Sequence, residues 1–141
     1  MIPYGRPVSD VIQRPDITCP TWNISVYDEK ALAPGYFFVA IYGHERTVDL
    51  AVGPQIYDSN GGLIWSGSPL FNGTNVYDFK VVDVFGEHLL SVSHGWTGSG
   101  YILDNQYRVK QTVIEGIPQQ TYNMHDFHTV DSGMQFLYSW V

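Results

Sequence analysis

One cysteine in 141 residues, Cys19, rules out any disulfide within the chain, and no Cys or His stands near it at zinc-ligand spacing. It reads as a small buried thiol. A nucleophilic role would need a lowered pKa, and "ITCPTW" supplies no basic neighbour. Charge is also scarce, at 15% of residues, and is split between seven Lys/Arg and fourteen Asp/Glu for a net charge of −7. With no basic cluster to neutralise phosphates, no nucleic-acid partner is expected, and anionic surfaces are disfavoured. No apolar run approaches the roughly 20 residues of a spanning helix, so no membrane span is expected. The opening "MIPYGRPVSD" lacks the charged start and apolar stretch of a secretory signal. Catalytic templates are missing too: there is no Gly-x-Ser-x-Gly elbow, no Gly-x-Gly-x-x-Gly and no phosphate loop. "DSNGG" (Asp58 to Gly62) lacks the alternating acids of a calcium loop, so neither a metal nor a cofactor is expected.

What remains is apolar and aromatic. Hydrophobic residues make up 44% and aromatics 15%, a composition that packs a globular core and does not stay disordered. The length suits one domain. The first 16 residues hold three prolines and little periodicity, which reads as an extended N-terminal arm. From residue 17 onward come short segments rich in β-branched and aromatic residues, each bounded by Gly, Pro, Asn or Asp. The expected strands are Trp22 to Tyr27, Tyr36 to Tyr42, Gln55 to Tyr57, Leu63 to Trp65, Val76 to Val84, His88 to Ser93, Tyr101 to Leu103, Tyr107 to Ile114, Phe127 to Val130 and Gln135 to Trp140. Only "DEKALAP", Asp28 to Pro34, suits a helical turn.

Two of these stretches repeat. "NVYDFKVVDVFG" (Asn75 to Gly86) returns forty-eight residues later as "NMHDFHTVDSG" (Asn123 to Gly133), and "IYDSNGGLIW" from Ile56 returns forty-six later as "ILDNQYRVKQ" from Ile102. A period of this length built from about four strands is the signature of a propeller blade. Asp58 and Asp104 would each begin a tight turn by bonding backbone amides two residues on, with similar duty for Asp78 and Asp126. The expected fold is therefore all-β: residues 17–141 form a partial β-propeller of between two and three four-stranded antiparallel blades. Propellers close with about 4–8 blades. The expectation is thus a piece of a longer protein, or a fragment that covers its open blade faces with copies of itself.

Several stretches together resemble the fungal branch of the arylsulfotransferase family: "RPDI" (Arg14 to Ile17), "WNISVYD" (Trp22 to Asp28), "APGYFFVAIYG" (Ala33 to Gly43), "GPQIYDSNGGLIWSG" (Gly53 to Gly67), "VYDFKV" (Val76 to Val81), "GYILDNQYRV" (Gly100 to Val109) and "NMHDFH" (Asn123 to His128). The resemblance spans most of residues 14–141 and implies the N-terminal part of a longer, secreted propeller. It also implies sulfuryl transfer from a phenolic sulfate ester to a phenol through a histidine in the central channel, without a nucleotide donor. His125 is the one position that matches such a histidine. An aromatic small molecule, a phenol or an aryl sulfate, would then be the partner. Otherwise the chain reads as a non-catalytic binding or assembly module that meets further blades or copies of itself.

The residues themselves leave alternatives open. His125 is either a nucleophile or acid/base at the axis, or a hydrogen-bonded strand histidine beside Phe127. Tyr77 fills the same slot in the first copy and would bind substrate. His128 points to the opposite strand face from His125, which argues against a two-His metal site. His94 and Trp96, in "SHGWTGSG", would line the channel mouth and bind substrate, or be plain loop and packing residues. His44 and His88 read as surface residues. Arg108 and Lys110 share one strand face, and Trp65 either packs between blades or stacks a substrate. The sequons Asn23-Ile-Ser and Asn72-Gly-Thr mark candidate glycosylation sites and point to an extracellular location.

Overall fold

The computed structural model describes residues 17, 19–25, 27–43, 49–95, 97–113, 123–130 and 135–138. They contain nine strands: β1 (Phe37–Ile41), β2 (Gly53–Tyr57), β3 (Leu63–Ser66), β4 (Val76–Val84), β5 (Glu87–His94), β6 (Ser99–Leu103), β7 (Val109–Val113), β8 (Phe127–Val130) and β9 (Gln135–Tyr138). A 3₁₀ turn, Ser68–Phe71, follows β3. The strands form three antiparallel meanders in chain order: β1-β2-β3, β4-β5-β6-β7 and β8-β9. The first strand of the middle sheet, β4, packs against β1 on one side and β8 on the other. The architecture is an all-β partial propeller whose ring is not closed within the described residues. Only the middle sheet shows four strands; the first shows three and the last two.

The repeat is structural as well as textual. Asp58 accepts on Oδ1 from the N–H groups of Asn60 (2.8 Å) and Gly62 (2.7 Å), and Asp104 does the same for Gln106 and Arg108 (both 2.9 Å). Hydrogen bonds, first from the Arg108 backbone, hold the Asp104 carboxyl below its ordinary range. The fourth residue of each turn is left-handed: Gly61 (φ 78°) in the first copy and Tyr107 (φ 61°) in the second. That conformation costs a non-glycine residue about 1–2 kcal/mol. Tyr107 offsets much of it by stacking on Trp65 at 4.8 Å and 19°, a contact type worth about 0.5–1.5 kcal/mol beyond burial. A register shift also recurs, between Ile56 and Tyr57 in β2 and between Ile102 and Leu103 in β6.

By the same offset β2 matches β6 and β3 matches β7, so β1 stands where β5 stands and nothing described in the first sheet matches β4. The expected strand at Trp22 to Tyr27 is corrected here, since none of its described residues lies in a strand. Their aromatic rings do other work. Trp22 meets Tyr57 edge-on at 5.3 Å, and Tyr27 donates its hydroxyl to Asn60 in the β2–β3 turn. The segment covers the turn and the far face of β2 with side chains and does not extend the sheet. The 3₁₀ turn was unforeseen. Pro69 starts it and left-handed Asn72 ends it.

Alternation along the middle sheet fills two cores. Leu90, Val92 and Leu103 face the first sheet, where Ile56 and Phe79 join them; Leu89, Val82 and Ile102 face the last sheet and enclose Phe127. The Phe of each copy thus occupies a successive interface between sheets, Phe79 at 7% exposure and Phe127 at 0%. Phe127→Ala should lower the unfolding free energy in urea by about 3–5 kcal/mol, a large share of the roughly 5–15 kcal/mol a domain has. Asp58→Ala, which removes the turn's acceptor, should cost about 1–2 kcal/mol in the same measurement.

Candidate functional site

Two residues that hold the same place in the repeats, Tyr77 and His125, touch. Their rings meet edge-to-face, centroids 4.6 Å apart at 80°. His125 precedes β8 in a turn shaped by Asn123, whose side-chain oxygen accepts from the His125 N–H (3.0 Å) and whose carbonyl accepts from the Asp126 N–H (3.2 Å). The imidazole is exposed. Tyr77, half-buried at the start of β4, also meets Tyr42 at 5.1 Å. Three rings, Tyr42, Tyr77 and His125, therefore line up across the inner strands.

Three local features hold this row in place. Asn75 clasps Gly43, accepting its N–H on Oδ1 (2.9 Å) and donating from Nδ2 to its carbonyl (3.3 Å), which brings Tyr42 alongside Tyr77. Gly95 leaves room for the Tyr77 ring: a Cβ there would lie 2.6 Å from its Cε2. Asp78 joins the sheets. It sits at a register shift in β4 with φ 49°, a conformation Asp tolerates better than most residues, and its Oδ2 accepts the Phe127 N–H at 2.6 Å. The same oxygen takes Lys80 Nζ at 2.6 Å. The sequence places the Asp78 bonds within or beside its strand, whereas one of its two partners lies forty-nine residues away.

Sequence reasoning missed Lys80, the cation beside this junction. The signal was present, because Lys80 and His128 hold the same place after the shared Asp-Phe, and each pairs with the Asp two residues before it. His128 is exposed and engaged by Asp126.

His94 is not part of the row. In register Tyr77 opposes Ser93 while His94 opposes Val76, so Tyr77 and His94 occupy opposite faces of the sheet. Its ring is buried against Phe71 and held at both nitrogens. Nδ1 accepts the Thr97 N–H (3.3 Å) and lies 3.0 Å from the Thr97 hydroxyl. Nε2–H donates to Thr74 Oγ1 (2.7 Å), whose own hydroxyl donates to the Phe71 carbonyl (2.6 Å). This network assigns the neutral Nε2–H tautomer, and burial lowers the His94 pKa.

The other candidates fall elsewhere. Trp96 and His44 lie outside the described residues. Trp65 packs between sheets against Tyr107 and Phe79. Arg108 is bound to Asp104 within its turn, Lys110 to Glu87 across strands, and exposed His88 stands 3.5 Å from Asp83. Cys19 is buried, and burial pushes its thiol pKa up. Burial also pushes the neighbouring Tyr57 phenol up to about 12. Asn23 and Asn72 are both exposed. A separate cleft of about 270 Å³, lined by Tyr36, Ile64, His88, Asn105 and Tyr107 among others, includes neither Tyr77 nor His125. Among the described residues no group of three His, Cys, Asp or Glu is placed to hold a metal, and no helix is long and apolar enough to cross a membrane. Comparison of the chain with protein-family models, curated proteins and solved structures found no match.

Because His94 is neutral in the fold, its contribution to pH dependence has a definite sign. Above its ordinary value of 6.5 it is neutral both folded and unfolded and contributes nothing; as pH falls below 6.5 the unfolded chain takes up a proton that the folded site resists, and stability declines. Thermal unfolding between pH 7.5 and 5 should show a steeper loss for the native protein than for His94→Gln.

Proposed function

We propose that His125 is the sulfuryl-accepting nucleophile of an arylsulfotransferase-like propeller, with Tyr77 as the wall that orients it and receives the aryl group. The observation that carries this reading is the ring contact: an exposed imidazole held edge-on to the tyrosine that fills its own slot in the other copy. A neutral imidazole nitrogen attacks sulfur; the bond from sulfur to the aryl oxygen breaks and the phenolate leaves. The acceptor phenol's oxygen then attacks the sulfur of the sulfohistidine, breaking the nitrogen–sulfur bond and freeing the imidazole. The net proton passes from acceptor to departing phenol. Charge on the sulfuryl oxygens calls for cationic or hydrogen-bonding donors, which this reading assigns to further blades.

A second reading, a non-catalytic assembly module, is favoured by a different observation. The inner edge of β1 has no partner strand among the described residues, and Tyr36, Phe37 and Tyr42 beside it are all more than half exposed.

With an aryl sulfate donor and a phenol acceptor, a longer polypeptide that carries this chain together with further blades should turn over, and His125→Ala should lower the rate at least about a thousandfold. Mass spectrometry of rapidly quenched enzyme should place the sulfuryl group on His125. Undiminished transfer by His125→Ala would end the catalytic reading.

A further inference from the structure

We propose that β1 is a docking edge filled by a second copy of this chain, the two β1 strands pairing antiparallel about a two-fold axis through Val39. The inference deepens the assembly reading and is independent of the catalytic one. Three observations converge on it.

The first is the empty position. The middle sheet runs β4-β5-β6-β7, and β1 pairs with β2 as β5 pairs with β6, so the first sheet has a place beside β1 that β4 fills in the middle sheet. Among the described residues β1 bonds only β2, through Phe37 to Ile41.

The second is the composition of that edge. Natural sheets blunt a free edge with charge, proline or a bulge. The outer strand β7 follows this rule, with Lys110 in its middle paired to Glu87. β1 does not. "FFVAI" has no charge, proline or glycine, it pairs with β2 without a register shift, and Tyr36 and Tyr42 flank it. Tyr36 (61% exposed), Phe37 (54%) and Tyr42 (57%) stand in solvent along it.

The third observation identifies the occupant. The stretch from Tyr36 to Tyr42 is self-complementary about Val39: turned antiparallel upon itself, it sets Tyr36 against Tyr42, Phe37 against Ile41 and Phe38 against Ala40. Each pair is aromatic with aromatic, or large with smaller apolar, and no like charges oppose, which is the pattern that stabilises cross-strand neighbours. The chain carries a net charge of −7, and this edge is free of it. Phe38 and Ala40 already pack towards the middle sheet, so Phe37, Val39 and Ile41 share the opposite face, where pairing would shelter Phe37. Two three-stranded sheets become one continuous six-stranded sheet. Tyr36 of the second copy would then stand across from Tyr42, extending the ring row that runs through Tyr77 to His125.

Sedimentation equilibrium of the purified chain tests this. The expected result is a dimer whose dissociation constant rises at least about tenfold in Val39→Lys, where two ammonium groups would face each other. Because that substitution also risks the fold, Val39→Cys supplies a second readout. Mild oxidation should give a covalent dimer, whereas Ile64→Cys, exposed on β3, should not; buried Cys19 does not compete. A monomer at every concentration overturns this inference and confines the assembly reading to contact with further blades. Association without the Val39→Cys cross-link overturns the inference alone and leaves assembly standing through another surface. Persistence of the dimer in excess of a peptide of Asn75–Val84 that binds beside β1 also overturns it, by showing that the copies meet elsewhere.

Discussion

One carboxylate oxygen, Oδ2 of Asp78, binds the neighbouring parts of this protein together. It receives the Phe127 N–H from the last sheet and the Lys80 ammonium from its own strand. Because Phe127 begins β8, the bond fixes where that strand lies against β4. From that follow the burial of the Phe127 ring in the second core and the position of His125, two residues upstream, against Tyr77. A carboxylate accepting a backbone N–H is stronger than a neutral pair and is directional. The left-handed backbone at Asp78 is what turns the side chain out of its own sheet towards the next.

The features legible in the sequence are those with short-range causes. The bounds of β4 and β8 matched because β-branched and aromatic runs are cut off by Gly and Asn on the chain itself. The turns at Asp58 and Asp104 matched because an Asp bonding amides two and four residues on is a local act. The equivalence of Tyr77 and His125 was legible as a repeat slot, but their contact was not, since it depends on two sheets meeting. Three side chains misled or escaped for the same reason. Trp22 and Tyr27 have strand-like composition yet spend their rings on a distant turn. The threonines that hold His94 lie twenty residues before it and three after, so its loop gave no sign of a buried, doubly bonded ring.

The two functional readings make different demands on the same row of rings. Transfer chemistry needs His125 accessible and oriented, and the imidazole is exposed and rests edge-to-face on Tyr77. Assembly needs the far end of the row, at Tyr42 and the β1 edge, to be unsatisfied. These demands lie at opposite ends of the row and do not compete. An arrangement that strengthens one leaves the other's groups in place.

Gly95 sets the room available to the Tyr77 ring, and through it the place of the ring that the His125 imidazole meets. A methyl at that position would meet the phenol ring's own carbon, and the ring would have to move. A substitution at this glycine therefore reaches the exposed histidine through one intervening ring.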